Sequence, residues 1–192
     1  MLTQREILST LEMLKSEHLD VRTVTLGINL LDCAGHNLEE LTHKIRTRIT
    51  HYAANLVSAC NHIGQKYGIP VVNKRIAVSP IAAVGAAMSS SQMVAVAQAM
   101  DEAAESVNVD FIGGFSALVE KGIARGDMAL LEAIPRALSE TQRVCASVNV
   151  ASTKAGINMD AVLRMGQAIK QAAQLTADSD GIACAKLCVF AN

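Results

Sequence analysis

Four β-like stretches of this chain share one two-faced pattern, in which small or polar residues alternate with mostly aliphatic ones. The stretches begin at Val21, Val71, Val144 and Ala183. Because successive side chains point to opposite sides of a strand, each stretch has one polar face and one aliphatic face. Helical patterns separate the stretches, which indicates parallel strands. The positions on the polar faces are Thr23, Thr25, Asn29, Asn73, Arg75, Ala77, Ser79, Cys145, Ser147, Asn149, Cys184, Lys186 and Cys188.

These polar faces constrain the kind of sheet that the chain can form. A parallel sheet that is covered by helices on both sides is nearly all apolar. We therefore expect one face of this sheet to border a polar space, such as a barrel lumen or a cleft. That space is the predicted place of a functional site, although the pattern does not name a reaction.

The periodicity of the apolar residues predicts five parallel strands alternating with helices, in a single α/β domain over residues 1–192. The predicted strands cover 21–31, 71–78, 109–112, 144–150 and 184–191. The predicted helices cover about 3–18, 38–67, 80–88, 93–107, 115–121, 127–138 and 158–175. Thr3 with Glu6 forms a capping box for the first helix, which should end near His18, and Ser79 with Pro80 suits the start of the third.

Composition narrows the classes of protein and partner. The chain is 51% hydrophobic but only 3% aromatic, without tryptophan, so small and aliphatic side chains must form its core. A net charge of −1 and scattered basic residues do not favour nucleic acid as a partner. No apolar run is long enough to predict a membrane span. An odd number of cysteines, five, and no signal-peptide pattern predict reduced thiols in a cytosolic protein.

One long stretch of the chain has no acidic residue. Between Leu41 and Met100 there is neither Asp nor Glu. Either this is an ordinary solvated basic surface, or it creates a positive field that attracts a small anion. The basic residues in the stretch are Lys44, Arg46, Arg48, Lys66, Lys74 and Arg75.

Ligands of parallel α/β proteins collect beyond the carboxyl ends of the strands. The residues predicted there are Asn29, Asp32, Cys33, Ser79, Gly113, Gly114, Ser116, Asn149, Ser152, Thr153 and Lys154. The pair Gly113–Gly114 could let a ligand approach the start of a helix, or could simply form a tight turn. Lys154 could hold a phosphate or a carboxylate, or could be an exposed loop residue.

Three other residue types offer less specific signals. Arg75 lies in the middle of a strand, on its polar face, where it could contact a ligand or form an ion pair across the sheet. Cys145 could act as a nucleophile only with a base beside it, and a small buried thiol is the alternative. The histidines fit no metal-binding spacing, and Cys184 and Cys188 would lie about 13 Å apart along a strand, too far to share a metal.

Several strings of residues resemble an uncharacterised family of prokaryotic cytosolic proteins. These strings are VVNKR at 71–75, VSPI at 78–81, DFIGGFSAL at 110–118, IPRALSET at 134–141, SVN at 147–149 and STKAGINM at 152–159. The family resembles the pyruvate formate-lyase-like barrel of glycyl radical enzymes, and its genes often neighbour one for a small ACT-domain protein. The resemblance implies a ten-stranded α/β barrel in two five-stranded halves, of which this chain would be the first. The radical-bearing glycine and the loop cysteine of glycyl radical enzymes are not identifiable here.

Three functional hypotheses follow. The first is an enzyme, or its N-terminal half, that binds a small anionic metabolite in the polar lumen through Asn73, Arg75, Ser147, Asn149 and Lys154. The second is a non-catalytic amino-acid or metabolite sensor that acts with an ACT-domain partner. The third is a structural half-barrel whose exposed sheet edges promote homo-oligomers or complementation. The sequence predicts no particular cofactor.

Overall fold

The computed structural model describes residues 3–16 and 21–192. Its strands are β1 (Val21–Ile28), β2 (Val71–Val78), β3 (Phe111–Leu118), β4 (Val144–Ser152), β5 (Gly156–Ile157) and β6 (Leu187–Ala191). Its helices are α1 (Gln4–Lys15), α2 (Leu38–Ala53), α3 (Leu56–Tyr67), α4 (Ile81–Val84), α5 (Ser90–Ser106), α6 (Arg125–Glu140), α7 (Met159–Leu175) and α8 (Ile182–Ala185). Short 3-10 turns cover Leu31–Cys33 and Ala177–Ser179.

Five of the strands form a parallel sheet, which confirms the predicted α/β architecture. The strands lie side by side in chain order, from β1 through β2, β3 and β4 to β6. The two-residue strand β5 is antiparallel and pairs with the carboxyl end of β4. Each strand therefore lies next to the parallel strand that precedes it in the chain, and helices form the connections.

The helices cover one face of the sheet. α2 packs against α5, α5 against α6, and α6 against α7, so these four helices form one layer. Ile76 and Ile112, two of the aliphatic strand positions beneath that layer, are fully buried. On the opposite side, Thr25 and Arg75 are exposed. We call this second side the open face, and it carries the polar half of the alternating pattern.

Capping interactions position the ends of several helices as the sequence predicts. The Thr3 side chain accepts a hydrogen bond from the Glu6 amide, completing the predicted capping box of α1. The Asn37 side chain accepts from the Glu40 amide at the start of α2. Each such cap satisfies an amide that would otherwise lack a partner. The predicted end of α1 near His18 lies outside the described residues.

The third strand is longer than predicted, and the helix predicted over 115–121 is wrong. β3 continues through Gly113–Gly114 to Leu118, with an irregular register at Gly114. Gly114 has φ +115°, and a Cβ there would lie 2.4 Å from Cγ2 of Val78 and 2.6 Å from its carbonyl oxygen. The two glycines therefore form a bulge that lets β3 approach β2, and not the predicted turn.

Three other predicted limits are wrong. The helix predicted over 38–67 is divided between Ala53 and Leu56 into α2 and α3. The third predicted helix is only the four-residue α4, and the Ser79 side chain does not cap it. The last strand begins at Leu187, because the preceding residues form α8. No helix in residues 3–16 or 21–192 combines the length and apolarity that crossing a membrane requires.

Candidate functional site

Strand pairing arranges the residues of the open face in rows across the sheet. The first row joins Thr25, Arg75 and Phe111 on β1, β2 and β3. The second row joins Gly27, Ala77, Gly113 and Cys145. The third row joins Ser116, Ser147 and Cys188. The rows run from the amino half of the sheet towards its carboxyl edge, where Asn29 and Ser79 follow β1 and β2.

Arg75 is the principal charged group of the open face. Its guanidinium lies over the ring of Phe111, with the guanidinium carbon 5.2 Å from the ring centroid, a cation–π contact. In the described part of the chain, no carboxylate forms a salt bridge with it, so the ion pair considered from the sequence is absent there. Its five N–H donors remain available to an external acceptor.

Beside Arg75, a shallow trough crosses the sheet. Its floor is Gly27, Ala77 and Gly113, three neighbouring residues with little or no side chain. A Cβ on Gly27 would meet no atom within 4 Å, and one on Gly113 would meet only a carbonyl oxygen at 4.0 Å. Packing therefore does not require glycine at either position. We call this feature the small-residue trough.

Asn29 and Ser79, two predicted ligand contacts, bond to each other at the carboxyl edge. The Ser79 hydroxyl donates to Oδ1 of Asn29 at 2.9 Å and accepts from the Leu30 amide at 3.1 Å. Oδ1 of Asn29 also accepts from the Leu31 amide at 3.0 Å. These bonds fix the chain after β1 against the end of β2, leaving the amide nitrogen of Asn29 as the pair's principal free donor.

The other polar residues predicted to contact a ligand differ in whether their side chains are free to bind one. Ser147 is half-buried on the open face, whereas Ser116 is buried and donates to the Gly114 carbonyl at 3.2 Å. Asn149 is also buried, and its best amide orientation donates to the carbonyls of Ala151 at 2.7 Å and Phe190 at 3.1 Å. The alternative orientation offers only one 3.4 Å bond, to Glu120. Asn149 therefore stabilises the end of β4.

Three predicted residues lie away from the trough. Thr153 and Lys154 are exposed in the turn of the β4–β5 hairpin, where the Thr153 amide donates to the Asn192 carbonyl at 3.2 Å. Asn73 lies near the amino end of β2 and donates to the Arg22 carbonyl at 3.3 Å. The structure thus brings Arg75 and the glycines together but places Asn73 and Lys154 at opposite ends of the sheet.

Cys145 lies at the far end of the trough, where its thiol donates to the Arg143 carbonyl at 3.9 Å and, within residues 3–16 and 21–192, has no hydrogen bond to a base. Burial raises the pKa of its thiol, and this effect exceeds the opposing influence of the Lys186 and Arg75 charges. The Lys186 ammonium is itself buried and donates to the carbonyl oxygens of Leu138 and Thr141 at the end of α6. Burial lowers the pKa of Lys186. The site favours a protonated thiol, whereas a catalytic cysteine needs the thiolate.

Comparison with known proteins places this chain in a family. Residues 12–192 match the family model described as Uncharacterised ACR (DUF711). The chain belongs to the DUF711 family. A UPF0210 protein of Syntrophobacter fumaroxidans is 64% identical to the DUF711 chain over 192 residues, and one of Methanosarcina mazei is 54% identical over 192. Each alignment covers 100% of this chain but only 42% of the relative.

Sequence reasoning missed one further concavity of the DUF711 chain. A groove of about 400 Å³ lies between the 3-10 turn Leu31–Cys33 and the outer surface of α2. Its lining residues are Asp32, Cys33, His43, Lys44, Thr47, Arg48, His51 and Tyr52. Within the described residues, no group of three or more potential metal ligands is present there or elsewhere. The sequence feature that could have located this groove is the basic stretch without acidic residues that begins at Leu41.

Proposed function

We propose that the open face of this DUF711 chain binds a small anionic metabolite and that the chain is part of an enzyme acting on it. The observation that carries the proposal is the Arg75 guanidinium, which borders the small-residue trough without a carboxylate partner among the described residues. A planar guanidinium forms paired hydrogen bonds with a carboxylate. Stacking on Phe111 fixes its plane, so less side-chain freedom is lost on binding.

The trough sets the size of the ligand. Ser79 follows β2, four residues after Arg75, at about 13 Å between Cα atoms if the usual strand rise continues. The long arginine side chain spans part of that distance, and the glycine floor leaves the remainder open. A small carboxylate held by Arg75 would extend over the trough towards the Ser147 hydroxyl and the Asn29 amide. This arrangement suits a metabolite with a second, hydrogen-bonding group.

We also propose that the sheet is half of a larger closed barrel. In support, α2, α5, α6 and α7 form one layer on one face of the described sheet, and the chain spans 42% of the length of its UPF0210 relatives. β1 and β6 are the outer strands of the parallel series and have room for further pairing. In that arrangement the open face would line the lumen. Reaction chemistry would then require groups from the remainder of the protein, consistent with the protonated Cys145.

Ligand binding can be measured on the chain directly. Isothermal titration calorimetry against small mono- and dicarboxylates and inorganic phosphate should identify an anion that binds the unmodified chain. Arg75→Met should weaken that anion roughly tenfold or more, because a charge-assisted hydrogen bond contributes about 1.5–3 kcal/mol. Arg75→Lys should recover only part of the affinity, since an ammonium cannot form the paired bonds.

Lys170→Met is the matched control, because Lys170 is an exposed lysine on α7, away from the open face. It removes one positive charge but should leave the affinity unchanged. Equal weakening by Lys170→Met and Arg75→Met would show that binding follows net charge and would refute the proposal.

A further inference from the structure

The groove beside α2 is separate from the open face, because α2 belongs to the helix layer on the other side of the sheet. Its volume of about 400 Å³ lies in the range of small-molecule sites. Its lining comes from one helix face and one turn, so both walls are regular structure. The two sites therefore need not share a ligand.

Arg48 forms a fixed wall of the groove. Its Nη2 lies 2.6 Å from a carboxylate oxygen of Asp32, and its Nη1 donates to the Asn29 carbonyl at 3.4 Å. These contacts connect α2 to the 3-10 turn and engage both terminal nitrogens of the guanidinium. Behind them lies the buried thiol of Cys33, whose pKa burial raises. Arg48 consequently shapes the groove and is not its free cation.

Lys44 is the cation that a ligand could recruit. It pairs with Glu40 at 2.6 Å, one helical turn away, and both side chains are largely exposed. Water and salt screen exposed pairs of this kind, so the ammonium can turn to a stronger anion at little cost. His43 and Thr47 line the groove beside Lys44 and add further hydrogen-bonding groups.

The opposite end of the groove is aromatic. Tyr52 is 59% exposed, although tyrosine usually buries much of its ring. The ring of His51 meets it edge-on, with ring centroids 5.2 Å apart and planes at 80°. This edge-on contact involves one side of the tyrosine and leaves much of the residue exposed. A flat ring could stack there with favourable geometry.

We propose that this groove binds an aromatic phosphate monoester, with its phosphate at Lys44, His43 and Thr47 and its ring on Tyr52. The donor chemistry selects phosphate over carboxylate. An ammonium acts as a point charge for a tetrahedral anion, whereas a planar carboxylate prefers a guanidinium fork. The guanidinium of this groove, on Arg48, is already occupied by Asp32.

Phenyl phosphate is the probe for the test, measured by isothermal titration calorimetry on the unmodified chain. Methyl phosphate, which lacks the ring, and benzyl alcohol, which lacks the charge, should each bind at least about fivefold more weakly. Lys44→Met and Tyr52→Leu should each weaken phenyl phosphate by about fivefold or more. Both side chains are largely exposed, so both variants should keep the unmodified melting temperature.

The chain contains a matched control pair outside the groove. Lys66 lies over the ring of the exposed Tyr67 on α3, with Nζ 5.2 Å from the centroid. Lys66→Met and Tyr67→Leu change the same chemistry and should leave phenyl phosphate binding unchanged. A loss of phenyl phosphate affinity in Arg75→Met without a loss in Lys44→Met would place the ligand on the open face and would also overturn the proposal. Comparable losses in the Lys66 and Tyr67 variants, or no binding to the unmodified chain at about 10 mM, would overturn the proposal.

Discussion

Lys186→Met should destabilise the chain through the end of α6. The Lys186 ammonium donates to the carbonyl of Leu138, at 2.7 Å, and to that of Thr141. Neither carbonyl belongs to a complete helical ladder, because α6 ends at Glu140. Methionine fills a similar volume but cannot donate, so two buried acceptors lose their partner.

The size of the effect follows from two destabilising contributions and one stabilising contribution. An unsatisfied buried acceptor costs about 1–3 kcal/mol, and a positive charge at a helix C-terminus contributes about 0.3–1 kcal/mol. Removing a buried charge returns part of its desolvation free energy. We therefore expect a net loss of about 2–4 kcal/mol in the free energy of unfolding. Lys170→Met, the exposed counterpart, should change it by less than about 0.5 kcal/mol.

The fall in the free energy of unfolding that Lys186→Met causes should grow as the pH rises towards 10.5. Because the pKa of Lys186 is lowered in the folded state, the unfolded chain binds more protons between that pKa and 10.5. Stability from this group therefore rises with pH across the window. A neutral amine still has two N–H groups for the two carbonyls, so no hydrogen bond is lost on deprotonation. The raised pKa of Cys145 lowers stability above pH 9.0 in both proteins, and more in Lys186→Met, which lacks the Lys186 charge that opposes the rise.

Urea unfolding of the unmodified chain and of Lys186→Met, followed by circular dichroism from pH 7 to pH 10, measures the difference. A loss below about 0.5 kcal/mol would show that the two carbonyls find other partners. A difference that shrinks towards high pH would contradict the assigned direction of the pKa change.

Two further substitutions test the bulge and the trough. Gly114→Ala should destabilise the chain by about 2–4 kcal/mol in urea unfolding, because φ +115° and the 2.4 Å approach to Val78 both exclude a side chain. Stability within about 0.5 kcal/mol of the unmodified chain would show that β3 can move away from β2. Gly27→Leu should instead affect ligand binding and not folding. Its stability should be nearly unchanged, because a Cβ at position 27 meets nothing within 4 Å. It should weaken the anion bound at Arg75 at least tenfold in calorimetry, and full retention of affinity would place the ligand outside the trough.

The alternation of polar and aliphatic residues correctly predicted where several strands begin. β1, β2 and β4 begin at the predicted residues, because their alternation matches the burial of one face and the exposure of the other. The division between α2 and α3 could not be read, since the residues at 54 and 55 include no strong helix breaker. The pair Gly113–Gly114 led to the wrong prediction that the third strand ends there, because glycine occurs both in turns and in bulges within strands.

In the candidate site, too, the sequence pattern predicted some features, whereas others depend on how the strands pack together. Alternation located the open face and placed Arg75 on it. It could not show that Asn149 donates to two carbonyls of its own sheet, or that Asn29 and Ser79 bond to each other. Those contacts depend on the strand register and on a bulge near the end of β4. They arise from the assembled sheet and not from neighbouring residues in the chain.

The bulge at Gly114 also sets the chemistry of both surfaces of β3. Before it, Ile112 points to the helices and Gly113 to the open face; after it, Phe115 is buried beneath the helices while Ser116 pairs with Ser147. If the same residues alternated strictly, with Gly114 paired and no bulge, these last two positions would be reversed, placing a phenyl ring on the open face and a hydroxyl in the core. Gly114 thus shifts the alternation of side chains along β3 by one residue. Deleting Gly114 itself would leave a regular strand with both surfaces unchanged, whereas deleting a residue on either side of the bulge would exchange the two surfaces beyond the deletion.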